Sequence, residues 1–398
     1  MKPFILLLLI INSFMLMPGK AIAQKEKLNT IDWSVAAQLP AAAGMQKQLG
    51  LAGVFTGVSN NVLLIAGGSN FADGAMPWQG GKKLHFDDIY LLAKNAAGAF
   101  NWLKPAKAIH LKQKTAYGAS TTVNNGVVCA GGETEDASSS KHAFIMRWDA
   151  IRQEVVFADL PPVPVSLANA CMTSIGEVIY LIGGESEGKP TAQCFTLNLA
   201  AKGAQWQALP PLPLAMSHSV AVTQSNGKHP CVYVIGGRSS TASGISTLHN
   251  STFCYDPEYK KWMRLKNVGD GLQITNISAA TGVASGATDI VLIGGDKGDI
   301  FHRIETYNSL IAHAPDKEEK KCLQQEKIEL LNHHPGFSKD VYVYNTVANS
   351  WRKLGALPFY GQVTTTAVKW GNEIFIPGGE IKPGTRTLAV TRGKFNAK

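Results

Sequence analysis

Glu380 and Arg386 stand six residues apart in the string Gly378-Gly379-Glu380-Ile381-Lys382-Pro383-Gly384-Thr385-Arg386. A carboxylate can take up and return protons, and a guanidinium can grip a carboxylate through two parallel N–H donors. Pro383 and Gly384 are turn residues, so the chain doubles back and both side chains can face one pocket. An Arg at this range is expected to depress the glutamate's pKa and hold it ionised as a base. The same pair could instead be an ion pair that pins the loop. Spacing alone leaves both readings open. Other chemistries are less well supported. The ten histidines show no H-x-x-x-H spacing and the six cysteines no C-x-x-C spacing, so no metal is expected, and His333-His334 beside Pro335 reads as loop surface. There is no Ser-x-Asp-x-Gly-x-Thr-Trp box, no nucleophile elbow and no phosphate loop.

The pair lies at the end of a repeat. Six apolar runs close on a Gly-Gly pair: Gly67-Gly68, Gly131-Gly132, Gly183-Gly184, Gly236-Gly237, Gly294-Gly295 and Gly378-Gly379. A small-residue strand precedes each run, such as Ala116 to Val123, and a turn rich in Asn or Gly separates the two, as at Asn60-Asn61 and Gly371-Asn372. A third strand follows, then a fourth marked by an aromatic residue: Trp102, Phe157, Trp206, Trp262 and Trp351. The sixth aromatic marker is Trp33, near the N-terminus, so an N-terminal strand is expected to complete the last four-stranded unit. This predicts an all-β, six-bladed β-propeller in a single domain over residues 24–398, because ring closure covers the apolar faces of the first and last blades together. Between the last two Gly-Gly pairs, Pro315 to Leu331 reads as a helix inserted into one blade, acting as a lid or as decoration.

In such a ring the residues just after Gly-Gly and just before each innermost strand share one face near the axis. The first set is Ser69-Asn70, Glu133, Glu185, Arg238, Asp296 and Glu380 to Arg386; the second is Gln48, Tyr117, Asn169, His218, Asn276 and Tyr360. A polar, mixed-charge rim around a central pocket suits a small molecule.

Bulk composition agrees. The 398 residues are 45% hydrophobic and 17% charged, which allows a large core. The net charge of +9 favours anionic partners, but no Lys/Arg run marks a nucleic-acid groove. Residues 1–23 read as a signal peptide: Lys2, an apolar stretch from Phe4 to Met17, then Ala21-Ile22-Ala23. The apolar stretch is short for a membrane span, so the expectation is an exported, periplasmic protein with no stable membrane insertion after cleavage. Cys129, Cys171, Cys194, Cys231, Cys254 and Cys322 are expected mostly as buried free thiols.

The Gly-Gly/aromatic repeats resemble kelch repeats. Beyond that, the chain is similar to bacterial N-acetylneuraminate epimerases, the sialic acid mutarotases. The resemblance rests on the Gly-Glu-x-Lys-Pro-Gly-x-Arg-Thr string at Gly379–Thr387, on Phe359-Tyr360 with Gly361 to Val368, on Gly50 to Asn61 leading into Ala66-Gly67-Gly68, and on Ala116-Tyr117-Gly118 leading into Gly131-Gly132-Glu133-Thr134. The stretch that resembles the family's N-terminus starts near Leu160-Pro161, so the order looks cyclically permuted. The resemblance implies interconversion of the α and β anomers of N-acetylneuraminate, a sugar acid, without a cofactor. It implies Glu380 as general base and Arg386 as its partner holding the substrate carboxylate, with Tyr117, Glu133, Tyr360 and Arg238 as further pocket-lining residues. A non-catalytic kelch propeller that binds a glycan or protein, or a mutarotase of another sugar, are the alternatives.

Overall fold

The computed structural model describes residues 28–41, 46, 50–71, 75–105, 108–124 and 126–397. The signal-like segment 1–23 and Gln48 lie outside the described residues. Six four-stranded antiparallel sheets form a ring of blades. From the axis outward, blade 1 is Phe55–Ser59, Val62–Ala66, Ile89–Lys94 and Phe100–Trp102; blades 2 to 5 repeat this order, with inner strands Ala119–Val123, Cys171–Ile175, Val220–Ser225 and Thr281–Ser285. Blade 6 runs Val368–Trp370, Glu373–Pro377 and Ala389–Ala397, and its outer strand is Leu28–Gln38 from the other end of the chain. The expected closure is therefore present, with Trp33 opposite Gly393.

The second strand of each blade is apolar on both faces, because each face meets a neighbouring blade. In Val62–Ala66, Val62, Leu64 and Ala66 pack toward blade 2, while Leu63 and Ile65 pack toward blade 6. Six buried clusters result, one at each blade-to-blade interface, the 6/1 interface included.

The Gly-Gly pairs stitch one blade to the next. At Gly378 the backbone is left-handed (φ 60°), and a Cβ would run into the Leu51 carbonyl oxygen of blade 1. That same carbonyl accepts the Gly379 N–H at 2.7 Å, and Gly68, Gly132, Gly184 and Gly237 donate to the next blade in the same way. Gly378→Ala combines a clash with left-handed strain, so a loss of about 1–3 kcal/mol is expected. A thermal melt of the variant beside wild type checks it, and an unchanged midpoint would refute the stitching role.

Two α-helices occur among the described residues: α1 (Asp299–Ala312) and α2 (Lys317–Asn332). The expected helix over 315–331 is α2, and the insertion after the fifth Gly-Gly pair is a helical hairpin rather than a single helix. Five cysteines are buried free thiols in the strands, whereas Cys322 is exposed on α2.

Candidate active site

The residue after each Gly-Gly is bridged to an inner-strand lead-in residue: Ser69 to Ala52, Glu133 to Ala116, Glu185 to Ala168, Arg238 to Ser217, Asp296 to Ser278 and Glu380 to Val363. The six are thus equivalent positions on one face, as expected. The next lead-in residues are Gly53, Tyr117, Asn169, His218, Ala279 and Thr364, all left-handed with φ between 52° and 69°. Their backbones form a chain of hydrogen bonds around the axis. Tyr117 N–H donates to Gly53 at 2.7 Å, Asn169 to Tyr117 at 2.8 Å, His218 to Asn169 at 3.0 Å, Ala279 to His218 at 2.9 Å and Gly53 to Thr364 at 2.7 Å. For Tyr117 and Thr364 this conformation is strained; at Tyr117 it is held by the bonds to Gly53 and from Asn169, at Thr364 by the bond from Gly53.

Tyr117, Asn169 and His218 therefore occupy the positions expected of them. Asn276 and Tyr360 do not, since Ala279 and Thr364 hold those places. Asn276 accepts from Asn250 at 2.9 Å, and Tyr360 stands on the rim, 41% exposed, with Lys339 and Lys382 each 5.3 Å from its ring centre. Inside the ring a cavity of about 100 Å³ runs along the inner strands, lined by small and apolar residues such as Ala119, Ala170 and Val220 and by the polar lead-in residues Tyr117, Asn169 and His218. Glu380 and Arg386 are not among its lining; they lie in the hairpin that follows the sixth Gly-Gly pair.

There, Glu380–Lys382 pairs with Thr385–Arg386, and Glu380 lies directly opposite Arg386. Gly384 (φ 76°) makes the turn and donates its N–H to Glu380 Oε1 at 2.6 Å. Arg386 Nη1 is 3.9 Å from Glu380 Oε1, which is an ion pair but too long for a hydrogen bond. The Arg386 side chain is 3% exposed and its guanidinium stacks 4.4 Å from the Phe71 ring centre. Its Nε and Nη1 are buried without a hydrogen-bond partner. A buried cation with idle donors is costly unless something accepts from it, so this arrangement suits an anionic ligand. Burial pushes the Glu380 carboxyl above its ordinary pKa; Arg386, the Gly384 N–H and Lys83 pull it down by less. The expectation of a depressed pKa is thus corrected. Desolvation outweighs an ion pair that is not in hydrogen-bond contact. A raised carboxyl is better suited to moving protons both ways near neutral pH.

Next to this pair, blades 1 and 2 contribute a polar cluster. Lys83 pairs with Glu133, and His85 Nε2 lies 3.1 Å from Glu133 Oε1. Burial would raise the Glu133 carboxyl, but hydrogen bonds from His85 and Lys83 outweigh it and hold it below the ordinary range. Tyr117 shares a hydrogen bond with Ser69 at 2.7 Å, and Lys83 Nζ sits 5.1 Å from the Tyr117 ring centre. Phe71, Lys83 and His85 were not found from sequence. They flank or form the returning strand Lys83–His85 of the hairpin after the first Gly-Gly pair, away from the positions beside the Gly-Gly pairs and inner strands that the repeat marks as rim.

Arg238 belongs to the other half of the rim. It contacts His218 Nε2 at 3.3 Å and stacks 4.9 Å from the Phe301 ring centre on α1. Burial and Arg238 keep His218 well below its ordinary pKa, so it is neutral. Glu185 accepts from Asn169 at 2.8 Å and from Ser217 at 2.7 Å. Glu305 of α1 accepts from the Ser246 N–H and hydroxyl at 2.8 and 2.6 Å, so the insertion leans across to blade 4 and walls this side. The structure therefore brings Glu380, Arg386, Tyr117 and Glu133 to one half, Arg238 to the other, and leaves Tyr360 at the edge.

A sequence profile of the N-acetylneuraminate epimerase family matches residues 16–155 and 160–398. The N-acetylneuraminate epimerase of Haemophilus influenzae (strain 86-028NP) is 26% identical over 238 residues, 60% of either chain. That of Yersinia pestis (strain Pestoides F) is 28% identical over 239 residues, 58% of this chain and 57% of the relative. That of Salmonella typhimurium (strain LT2) is 24% identical over 240 residues, 60% and 58%. The chain spans about 60% of the length of the curated relatives it matches. The solved structure of YjhT superposes with a TM-score of 0.60 at 13% identity, over 92% of this chain and 100% of that one, a likeness of fold.

Proposed function

The chain belongs to the N-acetylneuraminate epimerase family, and from that premise we propose that it is an isomerase that interconverts the α and β anomers of N-acetylneuraminate by acid/base opening and reclosure of the sugar ring. The observation that carries the reading is a buried guanidinium with idle Nε and Nη1, set beside a carboxyl whose pKa is raised by burial. A sugar acid supplies both partners, a carboxylate for Arg386 and an anomeric hydroxyl for Glu380. Ionised Glu380 takes the anomeric proton, the bond from the anomeric carbon to the ring oxygen breaks, and Glu380 returns the proton to the ring oxygen. Rotation of the open ketone and the reverse steps give the other anomer. Lys83, held by Glu133 and stacked on Tyr117, adds positive charge on the same side. No step of this reaction calls for a metal or organic cofactor. The signal-like residues 1–23 support export to the periplasm as the place of action.

The test is an NMR time course in which a sialidase releases the α anomer and the protein is added. Appearance of the β anomer above the spontaneous rate is expected. An unchanged rate would overturn the choice of substrate, and a screen of other reducing sugars would then separate a mutarotase of another sugar from a glycan-binding propeller.

A further inference from the structure

We propose that His229, Cys231 and Asp256 form a binding site for a divalent transition-metal ion, zinc foremost, on the face of blade 4 opposite the candidate active site. Blade 4 places them there by its turns. In a blade the first and second strands, and the third and fourth, are joined on the face away from the Gly-Gly loops. His229 follows the turn between Val220–Ser225 and Pro230–Ile235, where its N–H donates to Asn226 Oδ1 at 3.0 Å. Asp256 ends the third strand, Thr252–Asp256, and its Oδ1 accepts the Glu258 N–H at 3.0 Å in the next turn. Cys231 sits one position before the Val232–Tyr255 pair, so it lies beside Asp256. The spacings His229-Pro230-Cys231 and Cys254-Tyr255-Asp256 put two potential donors of each strand on one face of the sheet.

The ligand atoms of His229, Cys231 and Asp256 all lie within 4.8 Å of one another, and His229 Nε2 is 3.1 Å from Asp256. A tetrahedral zinc ion with bonds of about 2.0–2.3 Å needs donors roughly 3.3–3.8 Å apart, within reach of small rotamer changes. The donor set is one sulfur, one imidazole and one carboxylate. That set suits zinc and its borderline-soft neighbours rather than calcium or magnesium, which favour oxygen alone. One thiolate and one carboxylate cancel the charge of a divalent ion, so the filled site is neutral at a place where Cys231 and Asp256 are buried. Three protein donors leave a fourth position for water. A carboxylate also backs the imidazole. Glu258 Oε2 lies 3.3 Å from His229 Nδ1, which turns Nε2 toward the cluster, the outer-shell arrangement common to metal-bound histidines. The His229 side chain is 16% exposed and Glu258 61%, so an ion can enter past them.

Blade 5 shows that the fold does not need these residue types here. At the corresponding place Asn345 simply donates to Asp289 Oδ1 at 2.7 Å.

The test is titration of the reduced mature protein with cobalt(II) as a spectroscopic stand-in. One ion per chain is expected, with a thiolate-to-cobalt absorption band that zinc abolishes. Both His229→Ala and Cys231→Ser should lose the band, and zinc should raise the melting temperature of wild type but of neither variant. His229 lies at the surface, so His229→Ala keeps the test valid if Cys231→Ser fails to fold; circular dichroism reports which has folded. The absence of a thiolate band in folded wild type would overturn the proposal. So would binding that persists in both variants, or a Cys231–Cys254 disulfide found by mass spectrometry in the exported protein.

Discussion

Glu380→Gln is expected to lower kcat for anomer interconversion by about 10²–10⁴-fold, with KM nearly unchanged. Gln keeps the shape of the side chain and its carbonyl can still accept the Gly384 N–H, so the hairpin that presents Arg386 stays in place. What is lost is the ability to carry a proton. Wild-type activity should rise with pH through a carboxyl pKa that lies above the ordinary glutamate range, because burial raises Glu380 more than Arg386 lowers it. The residual activity of the variant should show no such rise. Stability should move the opposite way. A carboxyl whose folded pKa exceeds its unfolded value contributes stability below the unfolded pKa and loses it as pH rises through the folded one. Gln cannot ionise, so the melting temperature of the variant relative to wild type should increase with pH. Melts at acidic and neutral pH check this, and a difference that shrinks with rising pH would remove Glu380 as the buried acid.

The fold was legible because its causes are local. A Gly-Gly pair is required wherever one blade's backbone donates to the carbonyl of the next, and strands buried on both faces must be apolar throughout. The displaced Trp33 revealed the closing strand for the same reason. Helix α2 was readable from its run of Lys, Glu and Gln. Helix α1 was not, since Asp299–Ala312 mixes Ile, Phe, Thr, Tyr and Asn, residues of weak helix propensity. It is held instead by contacts no sequence window shows, Phe301 on Arg238 and Glu305 on Ser246. The lead-in positions were half legible. Tyr117, Asn169 and His218 stand out as polar or aromatic residues at a repeated offset, whereas Gly53, Ala279 and Thr364 fill the same ring with nothing chemical to mark them. The Glu380 pKa was misjudged in direction because sequence shows the neighbouring charge but not the desolvation. The His229–Cys231–Asp256 cluster escaped metal-motif spacing because it assembles across two strands.

The order of the blades bears on the site as well. A closed ring can be cut at any blade, and the family profile matches this chain in two segments. Cutting elsewhere leaves each blade's hairpin where it was. In this chain the cut falls within blade 6, which carries Glu380 and Arg386, and Leu28–Gln38 repairs it. Lys94 of blade 1 and Arg392 of blade 6 both bind Glu373, which fastens the repaired blade to its neighbour.

Arg386→Ala is expected to reduce kcat/KM by about 2–5 kcal/mol, tens- to thousands-fold, mostly through KM. The side chain is buried with Nε and Nη1 idle, and a substrate carboxylate would accept from the guanidinium. Arg386→Lys keeps the charge but offers a point donor instead of a fork, so it should recover only part of the loss. Two measurements separate charge from geometry. Arg386 lowers the Glu380 pKa, so the alanine variant should need a higher pH for full activity, while the lysine variant should stay near wild type. An analogue with its carboxylate reduced to an alcohol should bind wild type far more weakly than the sugar acid does, yet bind the alanine variant about as well as the acid, because the two changes remove one shared contact. Equal losses from both changes in every combination would mean that Arg386 only braces the hairpin against Phe71, and the carboxylate would then have to be held elsewhere on the rim.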